Sequence, residues 1–163
     1  MGLEALQREL AARATGRPAA GENPGLPPAD QLESFAAALV RKRAREVREL
    51  LPRTARLLGE RFDGLFGEYA EGRPTEGPQR HRRDAVAFAA SLRERGQAAG
   101  ETARYEASWL EMGLGRRVLL RKFPAGAIED GADGYVVVLW WRGLRGRVRA
   151  LHWPPKRPAS RSL

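Results

Sequence analysis

The chain has 163 residues, no cysteine and a formal net charge of +9. That length holds one ordinary domain, or a helical domain with a small appendage, and a hydrophobic fraction of 42% suffices for a packed core. Without cysteine, disulfides, thiolate zinc sites and cysteine nucleophiles are excluded.

The positive charge is unevenly placed. Lys plus Arg against Asp plus Glu is 3 to 4 in residues 1–30, 15 to 13 in 31–112 and 11 to 3 in 113–163. Nearly all the excess therefore lies in the last third, where an anionic or acidic partner would be sought. Lys42, Lys122 and Lys156 are the only lysines among 29 cations. A GC-rich genome explains that bias, and arginine also suits bidentate contacts with carboxylate or phosphate.

Leu3, Leu6, Leu10 and Ala14 form a narrow apolar stripe on a short candidate helix. Gly16 to Pro28 reads as a linker. The opening residues lack the basic-then-apolar order of a signal peptide, and the longest apolar run, Tyr135 to Trp141, is too short for a bilayer-spanning helix. A cytoplasmic location is expected.

Asp30 and Glu33 resemble a capping box, so a helix is expected from Gln31. Its apolar stripe runs through Leu32, Phe35, Ala36, Leu39, Val40, Ala44, Val47 and Leu51. Arg41, Lys42, Arg43, Arg45 and Arg48 occupy the other side, either as a contact for phosphates or as a solvated face balanced by Glu46 and Glu49. Pro52 bends the chain and opens a short helix ending at Gly59. Glu60 to Glu71 follows as a helix, and Leu57, Leu58, Phe62, Leu65, Phe66 and Tyr69 are expected to specify the core. Gly64 and Gly67 disfavour that helix by about 1 kcal/mol each, which suggests close packing there. Thr75 to Arg83 reads as a polar loop, Asp84 to Arg95 as a helix ended by Gly96, and Glu101 to Met112 as a helix with Tyr105, Trp109 and Met112 on one face.

At Gly113 the periodicity changes. Arg117 to Phe123, Tyr135 to Trp141 and Arg147 to Trp153 are expected strands, the last two joined by a hairpin loop over 142–146. The expected class is α+β: an extension and linker over 1–29, a helical domain over 30–112, a small three-stranded antiparallel sheet over 113–155 and a basic tail over 156–163.

The order Leu-Pro-x-x-x-x-Leu-Leu-Gly-Glu-x-Phe-x-x-Leu-x-x-x-Tyr from Leu51 to Tyr69 resembles the helical region of the HvfC/BufC-type family, which has also been labelled a DNA-binding domain. Arg83 to Leu92 and the run Ala103-Arg-Tyr-Glu-Ala-Ser-Trp109 fall in the matching order. The loop over 75–83 lacks the family's His-Pro-Pro-like run, and the sheet region does not align by motif. The resemblance implies a non-catalytic companion subunit of an iron-dependent TIM-barrel enzyme of the MbnB/TglH type, helping to hold its ribosomal precursor peptide.

The residues themselves suggest binding rather than catalysis. His81 and His152 are the only histidines, and neither has the spacing of a metal ligand or a partnered base. Glu129, Asp130 and Asp133 lack the ligand spacing of a calcium loop. No enzyme activity, cofactor, metal or membrane contact is expected. Tyr135 to Trp141 is apolar on both faces, so unless the helices and tail cover both, some of Val136, Val138, Trp140 or their neighbours are left exposed to a protein or peptide partner. Alternatively, Arg116, Arg117, Arg121, Lys122, Arg142, Arg145, Arg147 and Arg149, interleaved with Trp140, Trp141 and Trp153, would serve phosphate contacts and base stacking on nucleic acid.

Overall fold

The computed structural model describes residues 29–143 and 146–154. The expected helix over 3–14, the linker over 16–28 and the tail over 156–163 lie outside them. Among the described residues, helices α1 (Ala29–Leu50), α2 (Pro52–Leu58), α3 (Arg61–Ala70), α4 (Arg80–Glu94) and α5 (Gly100–Gly113) precede strands β1 (Val118–Pro124), β2 (Tyr135–Arg142) and β3 (Val148–Trp153). A short 3-10 turn, Ala125–Ala127, follows β1. The expected α+β class is the one observed, with the sheet antiparallel in the order β1-β2-β3.

Phe62, Phe66 and Tyr69 fall on one face of α3 because they are spaced four and three residues apart. All three surround Phe88 of α4, with ring centroids 5.3, 5.2 and 5.5 Å away. Val47, Leu51, Leu58 and Leu92 complete this buried cluster. Leu57 is exposed, a correction to its expected place in the core: Thr54, Ala55 and Leu58 form the buried face of α2, and Leu57 falls on the other side. Phe35 and Leu39 of α1 are exposed too, since burial on that helix is complete only from Ala44 onward.

A carboxylate at the centre ties these helices together. Asp84 is buried and accepts from Arg43 Nε at 2.9 Å, Arg43 Nη2 at 3.0 Å, the Tyr69 hydroxyl at 2.9 Å and Thr75 Oγ1 at 3.3 Å. Burial, and then the Asp84 charge, push the Tyr69 hydroxyl well above its ordinary pKa. Arg43 and Arg48 are thus paired with Asp84 and Asp63 rather than with Glu46 and Glu49.

Two backbone readings change. Helix α4 starts at Arg80, inside the expected 75–83 loop, because Gln79 turns the chain at φ 58° and its carbonyl accepts from the Arg82 and Arg83 amides. Gly64 and Gly67 have nothing within 4 Å of a Cβ position, so close packing does not account for them. The close approach is at Gly100, where a Cβ would lie 2.9 Å from Arg93 Cα, so α5 crosses the end of α4 at backbone distance.

Candidate functional site: the uncovered face of the sheet

Antiparallel pairing sets Val118 opposite Trp141 and Pro124 opposite Tyr135, and on the other side Val137 opposite Trp153 and Trp141 opposite Arg149. Because strand side chains alternate, this register assigns every residue to one of two faces.

The inner face lies on α5. Leu119, Phe123, Val138 and Trp140 are buried there with Tyr105 and Met112. Tyr105 stands 5.6 Å from Phe123 and 5.8 Å from Trp140 between ring centroids, and its hydroxyl is 3.1 Å from His152 Nε2. Burial raises the Tyr105 pKa. The inner cations are occupied inside the molecule. Arg121 donates to both Glu111 oxygens, at 2.7 and 3.1 Å, and to Ser108 Oγ at 3.0 Å. Arg142 donates to the Met112 carbonyl.

Helix α5 also reaches back to the other helices. Leu51 has no side-chain acceptor for the exposed amides that open α2. Glu106 supplies it, accepting from the Arg53 amide at 2.8 Å, the Thr54 amide at 2.9 Å and the Thr54 hydroxyl at 2.7 Å. Arg53 in turn donates to the Ile128 carbonyl at 2.6 Å and faces Asp130 at 3.7 Å. These contacts fix the turn after β1 against α2.

The outer face is built of cross-strand rows. Val118, Trp141 and Arg149 form the first, Leu120, Leu139 and Leu151 the second, and Lys122, Val137 and Trp153 the third. Tyr135 lies beyond the third row, under Lys122, whose Nζ is 4.1 Å from its ring centroid. Trp153 is 71% exposed and Leu120 64%, whereas Trp140, one residue from Trp141, is 0% exposed. Val118, Tyr135 and Leu151 are also exposed. No described residue covers this apolar surface, and no carboxylate lies in its rows.

Charge is graded along the strands. The starts of β1 and β3 and the end of β2 share one end of the sheet, which gathers Arg116, Arg117, Arg142, Arg147 and Arg149. Glu129, Asp130 and Asp133 sit in the connection at the opposite end. Arg116 pairs with Glu111 at 3.2 Å, while Arg117, Arg147 and Arg149 are exposed and have no ion-pair partner among the described residues.

The expected site residues therefore divide. Trp141, Trp153, Lys122 and Arg149 lie on the outer face, with Arg147 at its basic end; Arg116 and Arg117 lie at the same end of the sheet but not on that face; Arg145 is outside the described residues. Trp140, Arg121 and Arg142 are corrected to the inner face: Trp140 is buried, while Arg121 and Arg142 are half-buried and bonded to Glu111 and the Met112 carbonyl. Of Val136, Val138 and Trp140, offered as exposed candidates, it is their neighbours Val137, Leu139 and Trp141 that face outward. Sequence reading missed the leucine row. Its members are 12 to 31 residues apart, so only the register of three strands brings them together.

A cleft of about 120 Å³ between α4, α5 and β1, edged by Arg93, Arg104, Arg121 and Glu111, is below the usual size of an organic-ligand pocket. Among the described residues no three His, Asp or Glu side chains converge as a metal site, and no helix is long and apolar enough to cross a membrane.

No curated protein and no solved structure was found to match the chain. Residues 19–94 match the family model described as SCO6045-like, C-terminal domain. That match ends with α4, so over its helical part up to Glu94 the chain is similar to the SCO6045-like C-terminal domains.

Proposed function

We propose that the protein is a non-catalytic partner protein whose outer sheet face docks a protein or peptide. The observation that carries this reading is the three-strand leucine row with exposed Val118, Tyr135 and Trp153 around it. A contiguous apolar surface of this kind exceeds the scattered hydrophobics normal on a monomer and is the usual mark of an interaction site. The finer reading, a companion subunit that holds a ribosomal precursor peptide for an iron-dependent TIM-barrel enzyme, is supported by the Leu51 to Tyr69 resemblance.

The test is a photo-cross-linking residue at Leu151 in the full chain, expressed in its native host. A discrete protein or peptide adduct is expected from that position and none from Glu94 on α4. No adduct at Leu151, or the same adducts at both positions, overturns the reading.

Exposed Trp153 and half-exposed Trp141 beside Arg149 favour a second reading, nucleic-acid binding by stacking and phosphate contact. It requires affinity for a single-stranded oligonucleotide that declines as salt rises. The aliphatic middle row offers a base neither a stacking plane nor a hydrogen bond, which places this reading second.

A further inference from the structure

We infer that the occupant of the outer face is an amphipathic α-helix with carboxylates gathered at one end, laid along the strands with that end over Arg147 and Arg149. This rests on the docking reading above and names the partner's chemistry. Three features of the sheet lead to it.

The first is shape. Three strands set about 4.8 Å apart make a strip about 10 Å across, and side chains of one face recur about every 6.8 Å, so the rows from Val118 to Tyr135 extend about 20 Å. A helix is about 10 Å in diameter and rises 5.4 Å per turn, so roughly four turns cover the strip. The second is where the apolar residues lie. They are in the middle of the face, on all three strands, and not along an edge. An added strand would pair with the backbone of β1 or β3 and leave Leu139 of β2 uncovered; a helix seated on the face covers the whole leucine row.

The third is charge. The outer rows contain Lys122 and Arg149 and no carboxylate. Lys122 is already engaged over the Tyr135 ring, whereas Arg147 and Arg149 at the other end have no ion-pair partner among the described residues. A second copy of this chain stacked with its strands parallel would bring these arginines together, which disfavours that arrangement. A partner with acidic residues at one end meets these arginines, and its apolar stripe meets the leucines.

Two synthetic helices of about 18 residues, of equal apolar stripe and bearing Glu or Lys in the last turn and a half, test this on the full chain. Binding is read from Trp fluorescence and peptide helicity. The Glu peptide is expected to bind at least about tenfold more tightly than the Lys peptide, and the Arg147→Glu/Arg149→Glu variant to abolish that preference. Loss of binding by a Leu120→Glu variant places the peptide on this face. Equal affinity for both peptides, or a preference that survives the arginine changes, overturns the inference. So does preferential binding of an extended alternating peptide or an oligonucleotide. If Leu151 still cross-links a partner while the helical peptides fail, the docking reading stands and the helix is wrong.

Discussion

The two faces of the sheet are both largely apolar in composition and opposite in fate. On the inner face Phe123, Val138 and Trp140 are fully buried against Tyr105 and Met112 of α5; on the outer face Leu120, Leu151 and Trp153 meet solvent. The cations differ in the same way. Arg121 and Arg142 are held by Glu111 and the Met112 carbonyl, while Arg149 has no ion-pair partner among the described residues. A strand apolar on both faces is normally covered on both. The described helices supply one cover, so the inner residues maintain the fold, and no described residue covers the outer ones.

Two tryptophans on opposite faces of the sheet give the largest test of that contrast. Trp140→Ala removes a 0% exposed ring from the second core and is expected to lower stability by about 3–5 kcal/mol. Trp153→Ala, at 71% exposure, is expected to change it by no more than about 0.5 kcal/mol. Urea denaturation measures both, and comparable losses would show that the outer face is part of the folding core.

Much of the fold was legible because helical and strand periodicities are local. The stripe Phe62, Phe66, Tyr69 and the β-branched, aromatic run of β2 identify their elements directly. What was not legible depends on distant pairing. Arg80 to Arg83 carry no apolar period, yet they begin α4 after the Gln79 turn, and Asp84 is drawn into the core by Arg43, 41 residues away. The face to which each tryptophan turns followed only from strand register. Charge counting located the basic region, but it did not separate Arg121, bound to Glu111, from Arg149.

Glu111 provides the next test. It holds Arg121 and Arg116 on the helix side of the sheet. Glu111→Ala leaves a largely buried guanidinium without its carboxylate and is expected to cost about 1–3 kcal/mol, against about 0.5 or less for Arg149→Ala. An equal effect would mean that the outer arginine has a structural role of its own.

Alkaline pH probes the inner face by titration. Tyr105 and Tyr69 have pKa values raised from 10.0, Tyr105 by burial and Tyr69 by burial followed by the Asp84 charge. The native state therefore retains these protons where the unfolded chain has lost them, so their stabilisation is complete below pH 10 and declines as pH rises above it. Each contributes a slope of up to about 1.4 kcal/mol per pH unit. Denaturation at about pH 9 and 11 should show a smaller decline for Tyr105→Phe than for the unsubstituted chain. An unchanged decline would mean that this hydroxyl is not held neutral beneath the sheet.

The smallest expected effect on stability carries the greatest consequence for function. Leu120→Thr with Leu151→Thr keeps β-compatible side chains in β1 and β3 and removes two exposed apolar groups from the outer row. Since neither leucine is covered in the native state, little transfer free energy is lost, and the denaturation midpoint should shift by no more than about 0.5 kcal/mol equivalent. Binding is different, because a partner would bury both leucines together with Leu139, and losing them at the centre of the contact should weaken association by at least about tenfold. Cross-linking from Leu139 in the double variant measures that loss without altering the probe's position. If the adduct persists while stability falls, the contrast between the faces is reversed: the leucines would belong to the fold, and the contact would lie with the arginines alone.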